Sequence, residues 1–271
     1  MDVNVNKDVK LGVIGCGKMA SAILGGIYQN KFIPSENIYV FDINLDASGK
    51  LCKEYGFQEA YSLKELMQNC DAILLAIKPF LVGEVLSEMK EFYKDQLILS
   101  ILAGVKIKKY LNVIKNAKIV RIMPNTPALI SKGMSAICTS EDITEFEFNF
   151  AFDLMKNCGE VIKTTEDKID IITALSGSGP AFYYKIIDLF AKSAQKLGLD
   201  YNQAILLSTQ TALGSADMIL KNDFNIEQLI KNVTTKGGCT EVGNNVLNDS
   251  NIDEIIDKTI KDTMQKAIEL G

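Results

Sequence analysis

The chain of 271 residues contains no histidine. That excludes histidine-bearing zinc sites and Ser-His or Cys-His nucleophilic machinery, so any catalysis must run without the usual proton shuttle. The six cysteines, at positions 16, 52, 70, 138, 158 and 239, include no Cys-x-x-Cys pair. They read as small buried hydrophobes in a reducing compartment, with no disulfide framework and no metal cluster expected. No apolar stretch approaches the ~20 residues of a membrane span. Residues 1–8 are polar and lack the apolar core of a signal peptide. The expected location is therefore the cytoplasm. Positive charge is not in excess either: 29 Lys and Arg stand against 34 Asp and Glu, interspersed, for a net charge of −5. Nucleic-acid binding wants a basic patch, so no nucleic-acid partner is expected.

What is present is enough apolar material, 47% of the chain, for a real core in one large or two medium domains. The chain is organised around residues 10–23. A short apolar run at 9–14 reads as a buried strand, and it breaks at Gly15-Cys16-Gly17. A helical pattern begins at once through Lys18, Met19 and Ala20, giving Gly-x-Gly-x-x-Ala. Each small residue has a physical job here. Gly15 allows a tight turn, Gly17 lets a pyrophosphate approach the backbone, and Ala20 lets helix and strand pack closely. Free amides at the helix start then face the doubly negative group, helped by the helix dipole.

The surroundings support a dinucleotide fingerprint over an ordinary Gly-rich turn. Apolar runs at 38–41, 72–77, 97–102 and 119–123 alternate with helical patterns at 19–29, 46–55, 63–69 and 81–92. Such alternation predicts βαβ units and a parallel sheet. Residues 160–163 are a candidate last strand. Asp42 ends the second run, about 20 residues past the fingerprint, where a ribose-binding acid belongs. From Glu166 onward only helical periodicities remain, at 181–197, 202–221, 226–233 and 252–270. The expected architecture is α/β: an N-terminal dinucleotide-binding domain over 1–165, then an all-α domain over 166–271. The small residues of 204–219 suit either a buried helix or a dimer contact, and the helical part is a small core to stand alone.

Ligands of open α/β sheets bind at the carboxyl ends of strands, and three further motifs fall there. In Ala76-Ile77-Lys78-Pro79, Lys78 is either a contact to an anionic cofactor or a solvated strand-end lysine. In Ser100–Val105, the small Ala103 and Gly104 allow backbone approach to a ligand, or make a plain turn. The pair of prolines in Met123-Pro124-Asn125-Thr126-Pro127-Ala128 stiffens a polar loop that reads as a site wall. In the helical half, Leu175-Ser176-Gly177-Ser178-Gly179-Pro180-Ala181 is either a close-approach segment or a hinge. Thr234-Thr235-Lys236-Gly237-Gly238-Cys239-Thr240 then offers hydroxyls and exposed amides at a helix start, a nest suited to a carboxylate. Thr240 alone is equally an N-cap.

Taken in order, these motifs resemble the pyrroline-5-carboxylate reductase family, through nearly the whole chain. The resemblance implies an N-terminal Rossmann domain, an interlocked helical homodimer and often a ring of dimers. It implies hydride transfer from NADPH or NADH to the C=N carbon of 1-pyrroline-5-carboxylate, giving L-proline. Carried over by position, Gly15 to Ala20, Ala76 to Pro79, Ala103 and Gly104 hold the cofactor, with Glu166 and Asn232 near its nicotinamide end. Thr235, Gly237, Gly238, Cys239 and Thr240 hold the substrate carboxylate, with Thr240 nearest the imine nitrogen as the catalytic hydrogen-bonding group. Two departures stand out. The family loop usually reads Ser-Pro-Gly-Gly-x-Thr, whereas here Thr235 and Lys236 replace its serine and proline. Asp42 stands where many relatives have a small or hydroxyl residue, which leans the cofactor toward NADH, unless Asp42 turns aside to cap the helix near Asp46. A β-hydroxyacid dehydrogenase fits less well, because Lys185 and Asp188 depart from that family's lysine and asparagine. The other alternative is a nucleotide-sensing protein without turnover, against which the intact Gly15, Gly17 and Thr240 speak.

Overall fold

The computed structural model describes residues 8–221 and 225–270. The chain packs as two compact units, Met1–Ser178 with Thr263–Gly271, and Gly179–Asp262.

The first unit is an eight-stranded sheet in the order β3-β2-β1-β4-β5-β6-β7-β8. Its strands are β1 (Leu11–Ile14), β2 (Ile38–Phe41), β3 (Gln58–Glu59), β4 (Ala72–Leu75), β5 (Leu97–Ser100), β6 (Lys118–Met123), β7 (Gly133–Thr139) and β8 (Gly159–Lys163). The central strands β1, β4 and β5 are buried along their whole length. That is why they read as continuous apolar runs. Helices α1 (Lys18–Gln29), α2 (Leu45–Tyr55), α3 (Leu63–Asn69), α4 (Val82–Phe92), α5 (Ile107–Val113), α6 (Glu145–Lys156) and α7 (Ile169–Ile172) accompany the sheet. They enclose two apolar clusters, one around Val13, Ile23 and Phe150 and one around Ile73, Leu86 and Tyr110.

The sheet is parallel through β6, but β7 runs antiparallel to β6 and carries β8 parallel to itself. The parallel sheet expected from the sequence thus dominates, and β6–β7 is its one antiparallel pairing among the described residues. Strand β7 is a small-residue stretch, Gly-Met-Ser-Ala-Ile-Cys-Thr, without the long aliphatic run that marks the others. Its pairing with β8 depends on close backbone approach: a Cβ on Gly159, at φ +141°, would collide with the backbone of Gly133. Helix α6 is also absent from the sequence reading. Glu-Phe-Glu-Phe-Asn-Phe-Ala-Phe repeats every two residues like a strand, yet Thr144 and Glu147 form a reciprocal capping box that starts a helix.

The second unit contains α8 (Gly179–Lys196), α9 (Tyr201–Lys221), α10 (Ile226–Val233), α11 (Cys239–Asn248) and the start of α12 (Ile252–Glu269). The buried residues of α8 and α9 are Gly179, Ala191 and Ala204, and α10 and α11 bury none. Leu206, Leu207, Leu213, Val233, Val242 and Val246 are exposed. Among the described residues no helix is long and apolar enough to cross a membrane.

Candidate active site

The fingerprint loop has a geometry that requires glycine at its first position. Gly15 lies at φ +95°, and a Cβ there would sit 2.7 Å from the carbonyl oxygen of Ala76. Its amide donates to the Phe41 carbonyl at 2.8 Å, while the Ala76 amide donates to that of Ile14 at 2.9 Å. The turn is thus wedged between β2 and β4. Gly17 is the N-cap of α1, with no side-chain cap bond and no acidic residue in the first turn. A Cβ on Gly17 would meet nothing within 4 Å. The amides of Lys18, Met19 and Ala20 have no intrahelical acceptor. Free helix-start donors of this kind are what an anion takes. Ala20 is buried against the core, as helix–strand packing requires.

Cys16 points the other way. Its thiol is buried and pushed up to about 12, first by burial and then by the neighbouring Asp42 charge, so it stays protonated. Its backbone amide donates to Asp42 Oδ2 at 2.7 Å. The other oxygen, Oδ1, accepts from the Asn44 amide at 2.8 Å. Asp42 therefore ties the fingerprint loop to the loop after β2. The N-cap of α2 is Asn44, whose side chain accepts from the Asp46 amide. Asp42 does not cap that helix.

At the end of β4, Lys78 is exposed in extended backbone and caps a 3-10 turn, Pro79–Leu81. Ala76 and Ile77 are half-buried beside it, and Phe80 is 82% exposed. After β5, Gly104 lies at φ +76° with its α-carbon against Leu270, where a Cβ would sit 3.0 Å from that residue. Just past Gly104 the chain joins a polar cluster of which the sequence reading named only Glu166. Glu166 Oε1 accepts from the Ile107 amide at 2.7 Å and from Arg121 Nη1 at 3.0 Å. Arg121 is only 1% exposed. Its Nη2 lies 3.7 Å from Asp170 Oδ1, without a hydrogen bond among the described residues. Ser100 and Tyr110 share a short hydroxyl–hydroxyl bond there, and burial pushes the tyrosine up to about 12. The available signal was Arg121 itself, a lone charge inside the apolar run of β6.

The Met-Pro-Asn-Thr-Pro-Ala loop and the Leu-Ser-Gly-Ser-Gly segment meet. Asn125 Nδ2 donates to the carbonyl and hydroxyl oxygens of Ser176, both at 3.3 Å, and its Oδ1 accepts from the Met134 amide at 2.8 Å. Residues Thr173–Gly177 form a π-helical turn, and Gly177 makes room for the Met123 side chain.

The remaining sequence candidates lie in the second unit. Asn232 is in the last turn of α10 and its Oδ1 accepts from Gln228 Nε2 at 2.8 Å. The Gly238 amide donates to the Thr235 carbonyl at 2.8 Å, closing a four-residue turn. Gly237 has φ +76° while Lys236 is not among the positive-φ residues, the pattern of a type II turn. Gly238 is the N-cap of α11. Thr240 is therefore the second helical residue, exposed and not a cap. The Gly237 amide donates to Glu241 Oε2 at 2.7 Å. Both glycine amides are thus engaged, and the open donors of this nest are those of Cys239 and Thr240 at the helix start.

Residues 166–270 match the family model described as pyrroline-5-carboxylate reductase dimerisation. Residues 10–104 match the model described as NADP oxidoreductase coenzyme F420-dependent. The chain is 34% identical over 263 residues to pyrroline-5-carboxylate reductase 2 of Bacillus subtilis, covering 96% of this chain and 95% of that protein. Among solved structures, it is similar to a pyrroline-5-carboxylate reductase from Coxiella burnetii, with TM-score 0.92, 32% identity and 97% and 98% of the two chains covered. It is also similar to the Plasmodium falciparum pyrroline carboxylate reductase with NADP bound, with TM-score 0.88, 30% identity and 98% and 99% covered. With a nucleotide-binding sheet followed by a dimerisation domain, the chain belongs to the pyrroline-5-carboxylate reductase family of nicotinamide-dependent oxidoreductases.

Proposed function

We propose that the chain reduces 1-pyrroline-5-carboxylate to L-proline in the cytoplasm, as a dimer or a ring of dimers formed through its helical part. The observation that carries this reading is the uncapped start of α1 behind Gly15 and Gly17, held to Asp42 through the Cys16 amide. The reduced nicotinamide supplies the hydride. The amides of Lys18 and Met19 would hold the pyrophosphate, and Asp42 would accept from the ribose hydroxyls with lone pairs its two amide bonds leave free. Lys78 lies at the next strand end with its charge in solvent. Ala103, Gly104 and Glu166 would face the nicotinamide, and the family resemblance assigns Asn232 to it as well. We place the boundary between cofactor and helical domains at 165/166.

Substrate binding falls to the Thr235–Thr240 loop, whose helix-start amides at Cys239 and Thr240 suit a carboxylate. The C=N bond is polarised by protonation, so the residues need only hold hydride donor and acceptor in line. Hydride adds to the imine carbon, the C=N π electrons go to nitrogen, and the proton that charged the imine remains as the amine N–H. The Thr240 hydroxyl hydrogen-bonds to that nitrogen or relays a proton from water, a role that requires no histidine. Asp42 meets a 2′-phosphate with like charge, and Ile43, Asn44, Leu45 and Asp46 supply no cation to offset it. NADH is accordingly the preferred cofactor. The test is nicotinamide absorbance with purified protein, pyrroline-5-carboxylate and each cofactor. Loss of absorbance together with proline formation is expected. No oxidation of either cofactor would overturn the reading.

A further inference from the structure

The proposed substrate loop has lost the proline of its family, yet it is not loose. Its type II turn places Lys236 at the second position, where proline is favoured because its ring fixes φ. With lysine there, the turn must be held some other way. Helix α11 supplies two holds from one face, at residues 241 and 244, three positions apart. Glu241 Oε2 accepts from the Gly237 amide at 2.7 Å. Asn244 Nδ2 donates to Thr234 Oγ1 at 3.2 Å, and that hydroxyl donates to the Ile230 carbonyl at 2.7 Å. The first hold grips the turn at its positive-φ glycine. The second grips the strand of loop leaving α10. Glu241 is the third residue of α11, the position from which a capping-box acid reaches back. Here it reaches past the N-cap Gly238 to Gly237.

We propose that Glu241 and Asn244 are positioning residues for substrate binding, a side-chain clasp on α11 that does in this chain what a proline at 236 would do. The inference rests on the reading of the Thr235–Thr240 loop as the carboxylate site. Neither side chain touches the reacting atoms. They fix the turn at Gly237 and Gly238, so that the Cys239 and Thr240 amides stay open to the ligand. What Glu241 contributes is an acceptor oxygen, and glutamine supplies one in its place.

The experiment measures kcat and KM for pyrroline-5-carboxylate and for the cofactor in wild type, Glu241→Ala, Glu241→Gln, Asn244→Ala, and Glu241→Ala combined with Lys236→Pro. Loss of the Glu241 hold is expected to raise KM for the imine roughly fivefold or more, about the size of one lost hydrogen bond. The cofactor KM should not move. Glu241→Gln should stay within about twofold of wild type, and the added proline should return KM toward wild type by ordering the turn before binding. Asn244→Ala should act in the same direction as Glu241→Ala. A glutamine variant as impaired as the alanine variant would overturn the clasp, since charge would then be the operative property. So would a proline that restores nothing. If Glu241→Ala is silent while Thr240→Val is impaired, the clasp alone fails. If both are silent, the loop is not the substrate site and the underlying reading fails with it.

Discussion

The carboxylate of Asp42 and the backbone amide of Cys16 are joined at 2.7 Å, so the residue proposed to read the ribose also holds the fingerprint loop in shape. Asp42→Ser removes both roles at once. The expected outcome is a several-fold shift of the kcat/KM ratio from NADH toward NADPH, because a like charge near the 2′-phosphate costs on the order of 1 kcal/mol in partly solvated surroundings. KM for NADH should also rise as the loop loosens. Steady-state kinetics with both cofactors decides the matter, and a ratio unmoved by the substitution would show that Asp42 serves the loop alone.

Thr240→Val keeps size and removes the hydroxyl. Because Gly238 and not Thr240 caps α11, the helix start should survive and the thermal midpoint should stay within a degree or two. The kcat/KM for the imine should nevertheless fall roughly 10–100-fold, on the order of a lost hydrogen bond to a charged group. A folded variant with full turnover would remove Thr240 from the chemistry.

Two glycines offer opposite outcomes for one substitution. In Gly15→Ala the new Cβ would lie 2.7 Å from the Ala76 carbonyl oxygen at φ +95°, and a backbone atom in a buried sheet cannot move aside. A cost of about 2–4 kcal/mol and loss of cofactor binding are expected. In Gly177→Ala the obstacle is the Met123 side-chain methyl, the free end of a flexible chain. That substitution should cost about 1 kcal/mol or less. Urea unfolding midpoints of the two variants compare them directly. Equal losses would mean that the turn at Gly15 relaxes more readily than its surroundings allow.

Arg121→Met replaces a buried guanidinium by an apolar chain of similar length. It leaves Glu166 and Asp170 facing each other without their shared cation. Breaking such a pair from one side typically costs about 3–5 kcal/mol, and Glu166 is one-third exposed, so roughly 2–3 kcal/mol is expected here. Chemical denaturation measures it. Through Glu166 and the Ile107 amide the loss should reach the Ala103–Gly104 loop, seen as weaker cofactor binding by nicotinamide fluorescence. Unchanged stability would mean that the two carboxylates do not depend on the arginine.

The elements that were legible in the sequence are those whose burial is uniform. Strands β1, β4 and β5 lie between two layers, so every residue is apolar and the run announces itself. The turn at Gly15, the helix start at Gly17 and the buried Ala20 were legible because their spacing marks an abrupt strand-to-helix turn. Strand β7 was not, because its place depends on glycines that let backbones touch, and a small-residue stretch carries no periodicity. Helix α6 was hidden by a two-residue alternation of phenylalanines that its capping box overrides. The bond between Cys16 and Asp42 spans 26 positions, and the ion pair of Arg121 with Glu166 spans 45. Neither distance leaves a local trace. The hold of Glu241 on Gly237 is only four residues long. It was missed because the loop was read by its glycines and hydroxyls, and an acid one turn into the next helix looks like surface charge.

In helices α8 to α11, the residues shut away from solvent within the single chain are one glycine and two alanines. Within a region that matches a dimerisation domain, such a stretch is expected to gain its interior from a second copy, so its folding and assembly should form a single equilibrium governed by mass action. Dilution then acts as a denaturant. The melting temperature should climb with protein concentration, and a substitution far from the chemistry, such as Leu213→Glu, should silence the enzyme by dispersing it.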